Sequence, residues 1–400
     1  MIDDGLKDWS GHNAAYDLSV LDELGGRGIW CELFVNRDIG QLCGDRANVL
    51  PAFRNFAAGM SFEWRWVPAA ANRAVRAVAA NGSHMLDLFA RLTSHVRAGD
   101  VILVLIASSR TTLAYAAWLL WLSIIGRRVK IVFIVHDKPL KSFRWDARLL
   151  EKAGWGHRVV WAAHTDHGRK ACAELTGYES FLLPLPFGAK PAVQSSRGAE
   201  DTGVVFSYLG VALIPKGLDI LVRAIEGVAD LLKSGKIRLV VQCNIHRADP
   251  LLQRLLRDLG VIARRLPGIE VIAGSLTPAE YQQKMSDSDL VLIPHRSRFY
   301  KFVLSGIFTE ALAMGKPVVV ASDTYMAEEL ERYGAGVCFE DGDPVALAQA
   351  MRTAMSDIRN LRLRALEAQS AWQAIHNAER YVTELSAIVD SIEGMPGHAD

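Results

Sequence analysis

The sequence predicts an α/β protein with two domains, each a parallel β-sheet covered by helices. The chain has 400 residues, more than a single hydrophobic core ordinarily organises. Hydrophobic residues make up 50% of it and charged residues 22%, a composition typical of folded proteins. Runs of β-branched residues that are apolar throughout alternate with helical stretches, which is the pattern of strands buried on both faces of a parallel sheet.

The first predicted domain, residues 1–188, contains a short strand end before Asp3 and Asp4 and then four apolar strands. These strands are predicted at 29–35, 101–107, 129–135 and 158–162. The longest apolar run, 111–126, is shorter than the ~20 residues that cross a bilayer. We therefore expect a helix buried against the sheet, with a membrane-docking helix as the alternative.

A segment of small, polar and helix-breaking residues, 189–203, is predicted as the linker. Beyond it the alternation of strands and helices restarts, so residues 204–375 are predicted as a second Rossmann-like domain. Residues 376–400 are predicted as a C-terminal helix that packs back towards the first domain. The strands of the second domain are predicted at 204–209, 237–241, 269–273, 290–293, 318–321 and 336–339. Two such domains are expected to face each other across a cleft, where α/β folds bind ligands.

Composition and absent motifs exclude several classes of protein. A net charge of +1 gives no footprint of a nucleic-acid binder. Five cysteines without a CxxC pair argue against a disulfide scaffold or a zinc site and fit a reducing cytosol. No signal peptide is predicted at the start. The fingerprints GxGxxG, GxxxxGK[ST], HExxH and GxSxG are all missing, which removes most support for common oxidoreductases, nucleotidases and hydrolases.

A candidate phosphate site follows the strand 290–293, where Ser305-Gly306 is predicted to open a helix. Free N–H groups and the positive end of a helix favour a phosphate. Glu310, one turn further on, would reach hydroxyl groups of a sugar attached to that phosphate. Lys216, in the sequence Pro-Lys-Gly after the first strand of this domain, places a cation at the same edge of the sheet. The alternatives are a Ser305 that merely caps its helix, an ordinary first-turn Glu310 and a surface Lys216.

The order of motifs in this half resembles GT-B glycosyltransferases, specifically the retaining group called family 4. The motifs are KGLDILVRAI, SDSDLVLIPHR, SGIFTEALAMGKPVVVAS, AEEL and GVCFEDGDPVALAQAM, within about 204–352. The resemblance implies that Lys216 contacts the donor diphosphate and acts in catalysis. It further implies that the amides of Ser305, Gly306 and Ile307 hold phosphate and that Glu310 holds the donor ribose.

Two positions depart from that family's pattern. Phe302 stands where the first glutamate of the E-x7-E signature is expected, which puts the usual contact with the donor sugar in doubt. The arginine that usually precedes the KG lysine is missing around Gly210-Val211. Arg298 or Lys301 is our hypothesis for the source of the missing charge.

The first half resembles the family less closely. Gly11-His12 resembles the loop that borders the donor phosphate and the acceptor. His136-Asp137 ends the strand 129–135, and His136 is the candidate for the acceptor side, where a histidine hydrogen-bonds a sugar hydroxyl or takes up a proton. A structural histidine that caps the next helix is the alternative. His164 precedes a predicted helix start and is interpreted as mainly structural.

The motifs predict a glycosyltransferase, and the resemblance implies that it is a retaining hexosyltransferase that does not require a metal. It would move a sugar from a nucleoside diphosphate sugar to a saccharide or a lipid-linked saccharide, without a further cofactor. The resemblance implies a role in bacterial surface or exopolysaccharide synthesis, in the cytoplasm and in contact with the inner membrane face. The alternatives are a nucleotide-sugar epimerase on the same fold and a non-catalytic nucleotide-sugar-binding partner of another transferase.

Overall fold

A computed structural model describes most of the chain. The described residues are 1–6, 12–39, 46–54, 78–79, 81–105, 107, 111–136, 143–152, 155–186, 195–196, 203–244 and 249–394. Gly11, Asp137 and most of the predicted linker lie outside these ranges.

The chain divides into two compact units, Met1–Gly188 together with His376–Asp400, and Ala189–Ile375. The C-terminal helix, Ala378–Gly394, thus belongs to the first unit. Lys130 donates a hydrogen bond to the Val389 carbonyl oxygen at 3.2 Å. The chain therefore passes between the units twice, after residues 188 and 375. The first unit contains both the first and the last residues of the chain.

The described residues of the first unit form a seven-stranded sheet whose strands pair in parallel, in the order β3-β2-β1-β4-β5-β6-β7. The strands are β1 (Ile2–Asp3), β2 (Leu33–Asn36), β3 (Val49–Phe53), β4 (Val101–Val104), β5 (Lys130–Val135), β6 (Val159–Ala163) and β7 (Ser180–Leu182). The helices around this sheet include α1 (His12–Gly26), α2 (Thr112–Ile124), α3 (Phe143–Lys152) and α4 (Asp166–Thr176), with a π-helical turn at Leu88–Leu92.

The first sheet differs from the prediction at its edges. The strand predicted at 29–35 begins only at Leu33, and Trp30 before it is 78% exposed. The strands β3 and β7 were not predicted. Pro51 lies within β3 at the edge of the sheet, and proline, which has no N–H to donate, is tolerated there and weakens the sequence signal of a strand.

The second unit contains a six-stranded sheet in the described residues, again parallel, in the order β10-β9-β8-β11-β12-β13. The strands are β8 (Val204–Tyr208), β9 (Ile237–Cys243), β10 (Ile269–Ala273), β11 (Leu290–Ile293), β12 (Val318–Ala321) and β13 (Gly336–Phe339). The helices are α5 (Leu218–Ala224), α6 (Ala229–Lys233), α7 (Pro250–Arg265), α8 (Pro278–Asp287), α9 (Ser297–Tyr300), α10 (Gly306–Ala313), α11 (Tyr325–Tyr333), α12 (Pro344–Ser356) and α13 (Ile358–Ile375). The central strands β8, β11 and β12 are buried along their whole length, as their continuous apolar runs predict.

The helix predicted at 217–232 is divided. A 3-10 segment, Ile225–Val228, separates α5 from α6. A side chain on Gly227 would place its Cβ 2.5 Å from the Cβ of Ala348 on α12. The close approach of the two helices therefore requires glycine at this point, where the sequence pattern alone indicates a continuous helix.

In each sheet the strand order reverses at one pair of neighbouring strands, β1 and β4 in the first and β8 and β11 in the second. The strand that follows β8 in the chain, β9, lies towards one edge of the sheet, and the strand that follows β11, β12, lies towards the opposite edge. Such a switch point opens a crevice at the carboxyl ends of the two strands, where α/β folds bind their ligands. The predicted donor-binding residues of the second unit follow these two strands in the chain.

The apolar run of the first unit forms α2. Trp118 and Leu122 are fully buried, while Trp121 is 41% and Ile124 70% exposed. Across the part of the chain that the structure describes, no helix combines the length and the apolar character needed to cross a membrane.

Candidate active site

The turn that carries Lys216 is fixed against the end of β11. A 3-10 turn, Ile214–Lys216, leads into Gly217, whose φ is +74°. The Arg296 N–H donates to the Pro215 carbonyl oxygen at 2.9 Å. A Cβ on Gly217 would lie 1.9 Å from the carbonyl oxygen of Pro294. Glycine is therefore required here, both by the left-handed backbone and by the contact.

Lys216 lies in the crevice region as a half-buried cation. Burial lowers the pKa of its ammonium group, because the charged form loses hydration. Within the described part of the chain its ammonium has neither a carboxylate nor another hydrogen-bond acceptor. The structure thus does not support the alternative of an exposed surface lysine.

Helix α10 begins at Gly306, as the sequence predicts, with Ser305 at the N-cap position. The Ser305 side chain does not cap the helix, and its buried hydroxyl oxygen has no hydrogen-bond partner among the described residues. Its backbone N–H donates to the Tyr325 hydroxyl oxygen at 3.1 Å. The amides of Gly306 and Ile307 are therefore not satisfied by a side-chain cap, and a helix start of this kind attracts anions.

Glu310 lies one turn into α10 and is held by a tyrosine from α8. The Tyr281 hydroxyl donates to a Glu310 carboxylate oxygen at 2.7 Å. Burial raises the pKa of Tyr281, and the neighbouring Glu310 charge adds to the shift. Sequence reasoning missed this tyrosine, because the partner comes from a helix that carries no motif.

The two exposed candidate cations lie on or next to the short helix α9. The guanidinium of Arg298 lies over the ring of Phe299, 5.5 Å from its centre. Lys301 follows at the end of that helix and is exposed. A different arginine, Arg296, forms an ion pair with Asp219 of α5.

His295 is a further residue of this region that sequence reasoning missed. It follows β11 directly after Pro294 and is 3% exposed. Its ring packs on that of Tyr300, with the ring centres 4.2 Å apart. Burial lowers the pKa of His295 well below its ordinary value, and the Lys216 charge lowers it further. The signal was available, since a histidine that ends a buried strand is the same criterion that selects His136.

In the first unit the predicted His136 lies in an aromatic cluster at the end of β5. Its ring is edge-on to those of Tyr16, at 5.6 Å, and His164, at 4.8 Å. The His164 Nε2 is 3.0 Å from the Tyr16 hydroxyl, and its Nδ1 is 3.0 Å from the Leu183 carbonyl oxygen. Burial lowers the pKa of His164 to about 4, so the ring is neutral at physiological pH. His12 begins helix α1.

Two buried carboxyl groups lie near Tyr16 of this cluster. Asp3, at the end of β1, is 1% exposed, and so is Asp17 of α1. Burial raises the pKa of Asp17 well above its ordinary value, and Asp3 beside it raises it further. The sequence predicted only a short strand end at Asp3.

The described residues contain no group of three or more histidine, cysteine or acidic side chains arranged to hold a metal ion. The predicted donor-binding residues Lys216, Ser305, Gly306 and Glu310 follow the strands β8 and β11 in the chain.

Part of the chain matches a family of known proteins. Residues 203–357 match the family model Glycosyl transferases group 1. A search of curated proteins found no match. The match therefore covers the second unit, which contains Lys216, His295 and Glu310.

Three solved structures resemble this chain over nearly its full length. HepE from Anabaena, in complex with UDP, is 16% identical with a TM-score of 0.63, and the alignment covers 97% of this chain and 98% of that one. A glycosyltransferase from Rickettsia africae is 12% identical with a TM-score of 0.68, covering 99% and 98%. Sucrose-phosphate synthase from Thermosynechococcus elongatus is 13% identical with a TM-score of 0.65, covering 97% and 95%.

The chain has the GT-B fold, with two parallel-sheet α/β domains. Residues 203–357, within the second unit, are similar to glycosyl transferases of group 1. This is the class that the order of motifs predicts.

Proposed function

We propose that the protein is a retaining glycosyltransferase. It would move a sugar from a nucleoside diphosphate sugar to a hydroxyl group of a saccharide or a lipid-linked saccharide. The observation that carries this proposal is that the Lys216 turn and the uncapped start of α10 follow neighbouring strands at a switch point. The complexes of HepE with UDP and with UDP-glucose support a nucleotide sugar as the donor class.

The chemistry of this site is electrostatic. When the bond between the sugar and the donor breaks, negative charge develops on the departing diphosphate. Lys216 and the amides of Gly306 and Ile307 are donors fixed in position before that charge appears, and such groups stabilise a transition state without reorganisation. Glu310, held by Tyr281, is proposed to bind the donor ribose. Retention and independence from metal rest on the family resemblance.

The acceptor is proposed to bind at the first unit. His136 lies at the carboxyl end of β5 with Tyr16 beside it, and an imidazole there suits a hydrogen bond to a sugar hydroxyl. His12 and Asp137 remain candidates for the same role, and Gly11 remains a candidate for donor binding. The proposed setting is bacterial surface polysaccharide synthesis at the cytoplasmic face of the inner membrane, with which the exposed Trp121 of α2 is compatible.

A kinetic comparison of two lysine variants tests the donor site. Lys216→Met removes the charge but keeps an unbranched side chain, and we expect turnover to fall about 10²-fold or more, as for the loss of one preorganised donor. Lys233→Met, at an exposed position of the same unit, is the control and should behave as the wild type. The assay measures nucleotide released in the presence and absence of saccharide acceptors. Wild-type activity in Lys216→Met would refute the role of the lysine.

The second candidate function is a non-catalytic nucleotide-sugar-binding partner of another transferase. It is motivated by Phe302, which replaces the first glutamate of the family signature, and by the missing arginine near Gly210. Tight donor binding without turnover across a broad acceptor panel would favour this candidate. Nucleotide release that depends on an acceptor would favour the transferase.

A further inference from the structure

The region between the ends of β8 and β11 contains buried polar groups that lack partners within the described part of the chain. The Nδ1 of His295 and the hydroxyl oxygen of Ser305 are both buried without a hydrogen-bond partner there. The residues are 3% and 2% exposed. Buried polar groups in proteins are nearly always hydrogen-bonded, so unsatisfied ones at a switch point indicate a ligand.

Tyr300 lies between His295 and the residues that contact Ser305. The ring of Tyr300 packs on His295, with the centres 4.2 Å apart. Tyr300 also interacts electrostatically with Tyr325, whose hydroxyl accepts the Ser305 N–H. The Lys216 charge also acts on the imidazole, and the Lys216 turn is hydrogen-bonded to the chain after His295 through Arg296 and Pro215. The Lys216 turn, His295 and the start of α10 therefore lie in one region at the ends of β8 and β11.

The charges around this place select an anion. Lys216 is a cation, and the helix start offers N–H groups. The nearest carboxylate of α5, Asp219, is paired with Arg296. The hydroxyl group of Tyr208 on β8 is buried, and burial raises its pKa, so it is neutral near pH 7. His295 is buried and Lys216 half-buried, and two basic side chains without an acidic partner in the described residues fit a phosphate-bearing ligand.

We propose that His295 contacts the diphosphate of the bound donor and takes up one proton from solvent when the donor binds. This inference rests on the proposed function and adds a residue to its diphosphate site. In the free protein the ring is neutral. In the complex the imidazolium would donate to a phosphate oxygen, and no bond of the donor forms or breaks in this step.

His295 takes up a proton because the bound donor reverses the electrostatic effect of the surroundings on its ring. In the free protein, burial lowers the pKa of His295 and the Lys216 charge lowers it further. Lys216 is the charge that acts on the ring, and Tyr300 of α9 packs on it. On the neighbouring elements Arg296 and Asp219 form an ion pair with each other. Within the described part of the chain no carboxylate therefore acts on the ring to stabilise the imidazolium. A diphosphate brings negative charge to the same place and favours the protonated ring.

Isothermal titration calorimetry tests the proton uptake. The probe is the tightest binder among UDP-, GDP-, ADP- and dTDP-glucose, whose diphosphate groups do not titrate near neutral pH. Binding is measured at pH values between about 6 and 7.5, in two buffers of different protonation enthalpy. The wild type should take up about one proton per donor, and its affinity should weaken about tenfold per pH unit as the pH rises.

The variants separate a direct role from a structural one. His295→Gln keeps a hydrogen-bonding side chain but does not titrate, so its binding should be weaker and independent of buffer and pH. His167→Gln, on α4 of the first unit, is the matched control and should keep the uptake. Binding by the wild type without uptake, or equal uptake in His295→Gln, would overturn the inference and leave the proposed function standing. Failure of all four nucleotide sugars to bind would remove the proposed function and this inference with it.

Discussion

The contact between Gly217 and Pro294 gives a prediction whose size follows from the structure. An alanine at 217 would adopt a φ near +74°, and the left-handed conformation costs an L-residue about 1–2 kcal/mol. Its Cβ would also lie 1.9 Å from a backbone oxygen, which cannot rotate away, and overpacking of this kind costs about 1–3 kcal/mol more. We therefore expect Gly217→Ala to destabilise the protein by about 2–5 kcal/mol.

Gly235 provides the matched control in the same unit. Its φ is +67°, and a Cβ at that position would have no described atom within 4 Å, so Gly235→Ala should cost only the backbone term of about 1–2 kcal/mol. Urea unfolding measures both values, and calorimetry with a nucleotide sugar measures the site. Gly217→Ala should also weaken donor binding, because the clash separates Lys216 from His295. Equal destabilisation in the two variants, with equal donor affinity, would refute the reasoning.

Two further predictions concern buried side chains. Because burial and the neighbouring Asp3 raise the pKa of Asp17 in the folded state, its contribution to stability is present at low pH and is lost as the pH rises through that raised value. The free energy of unfolding of Asp17→Asn, measured in urea across this range, should therefore fall less with pH than that of the wild type, while the exposed Asp22→Asn should follow the wild type. Tyr281→Phe removes the hydroxyl group that holds Glu310 and should weaken nucleotide-sugar binding about tenfold by calorimetry, equivalent to ~1.4 kcal/mol; an unchanged affinity would show that Glu310 is positioned without it.

The sequence predicts the central strands well and the edges of the sheets poorly, for a physical reason. The strand at 290–293 is apolar at every position and buried on both faces, so its pattern and its environment agree. The edge strand Val49–Phe53 contains a proline and an exposed Pro51 side chain, so its pattern is weak. Trp30 belongs to an apolar run but lies before the strand and is 78% exposed. A run of apolar residues therefore does not show where its strand begins.

The same distinction applies to the candidate site. Lys216 and Ser305 belong to local motifs, so their positions after a strand could be read from the chain. The chemistry of His295 comes from its burial against Tyr300 and from the charge of Lys216, which is 79 residues away in the chain. Contacts of that kind depend on the strand order and not on the local pattern, and sequence reasoning therefore passed over this histidine.

The second unit, residues 189–375, carries a net charge close to zero, which constrains how it can hold an anionic donor. No domain-wide positive field attracts the donor to this unit. Attraction must come from Lys216, His295 and the start of α10, which are close to the place where the phosphates would bind. Because His295 is buried and Lys216 half-buried, their charges interact with a phosphate at a lower effective dielectric than charges at the surface. Mobile ions screen such interactions less than they screen surface pairs. Donor affinity should therefore follow the protonation of His295 more closely than the ionic strength.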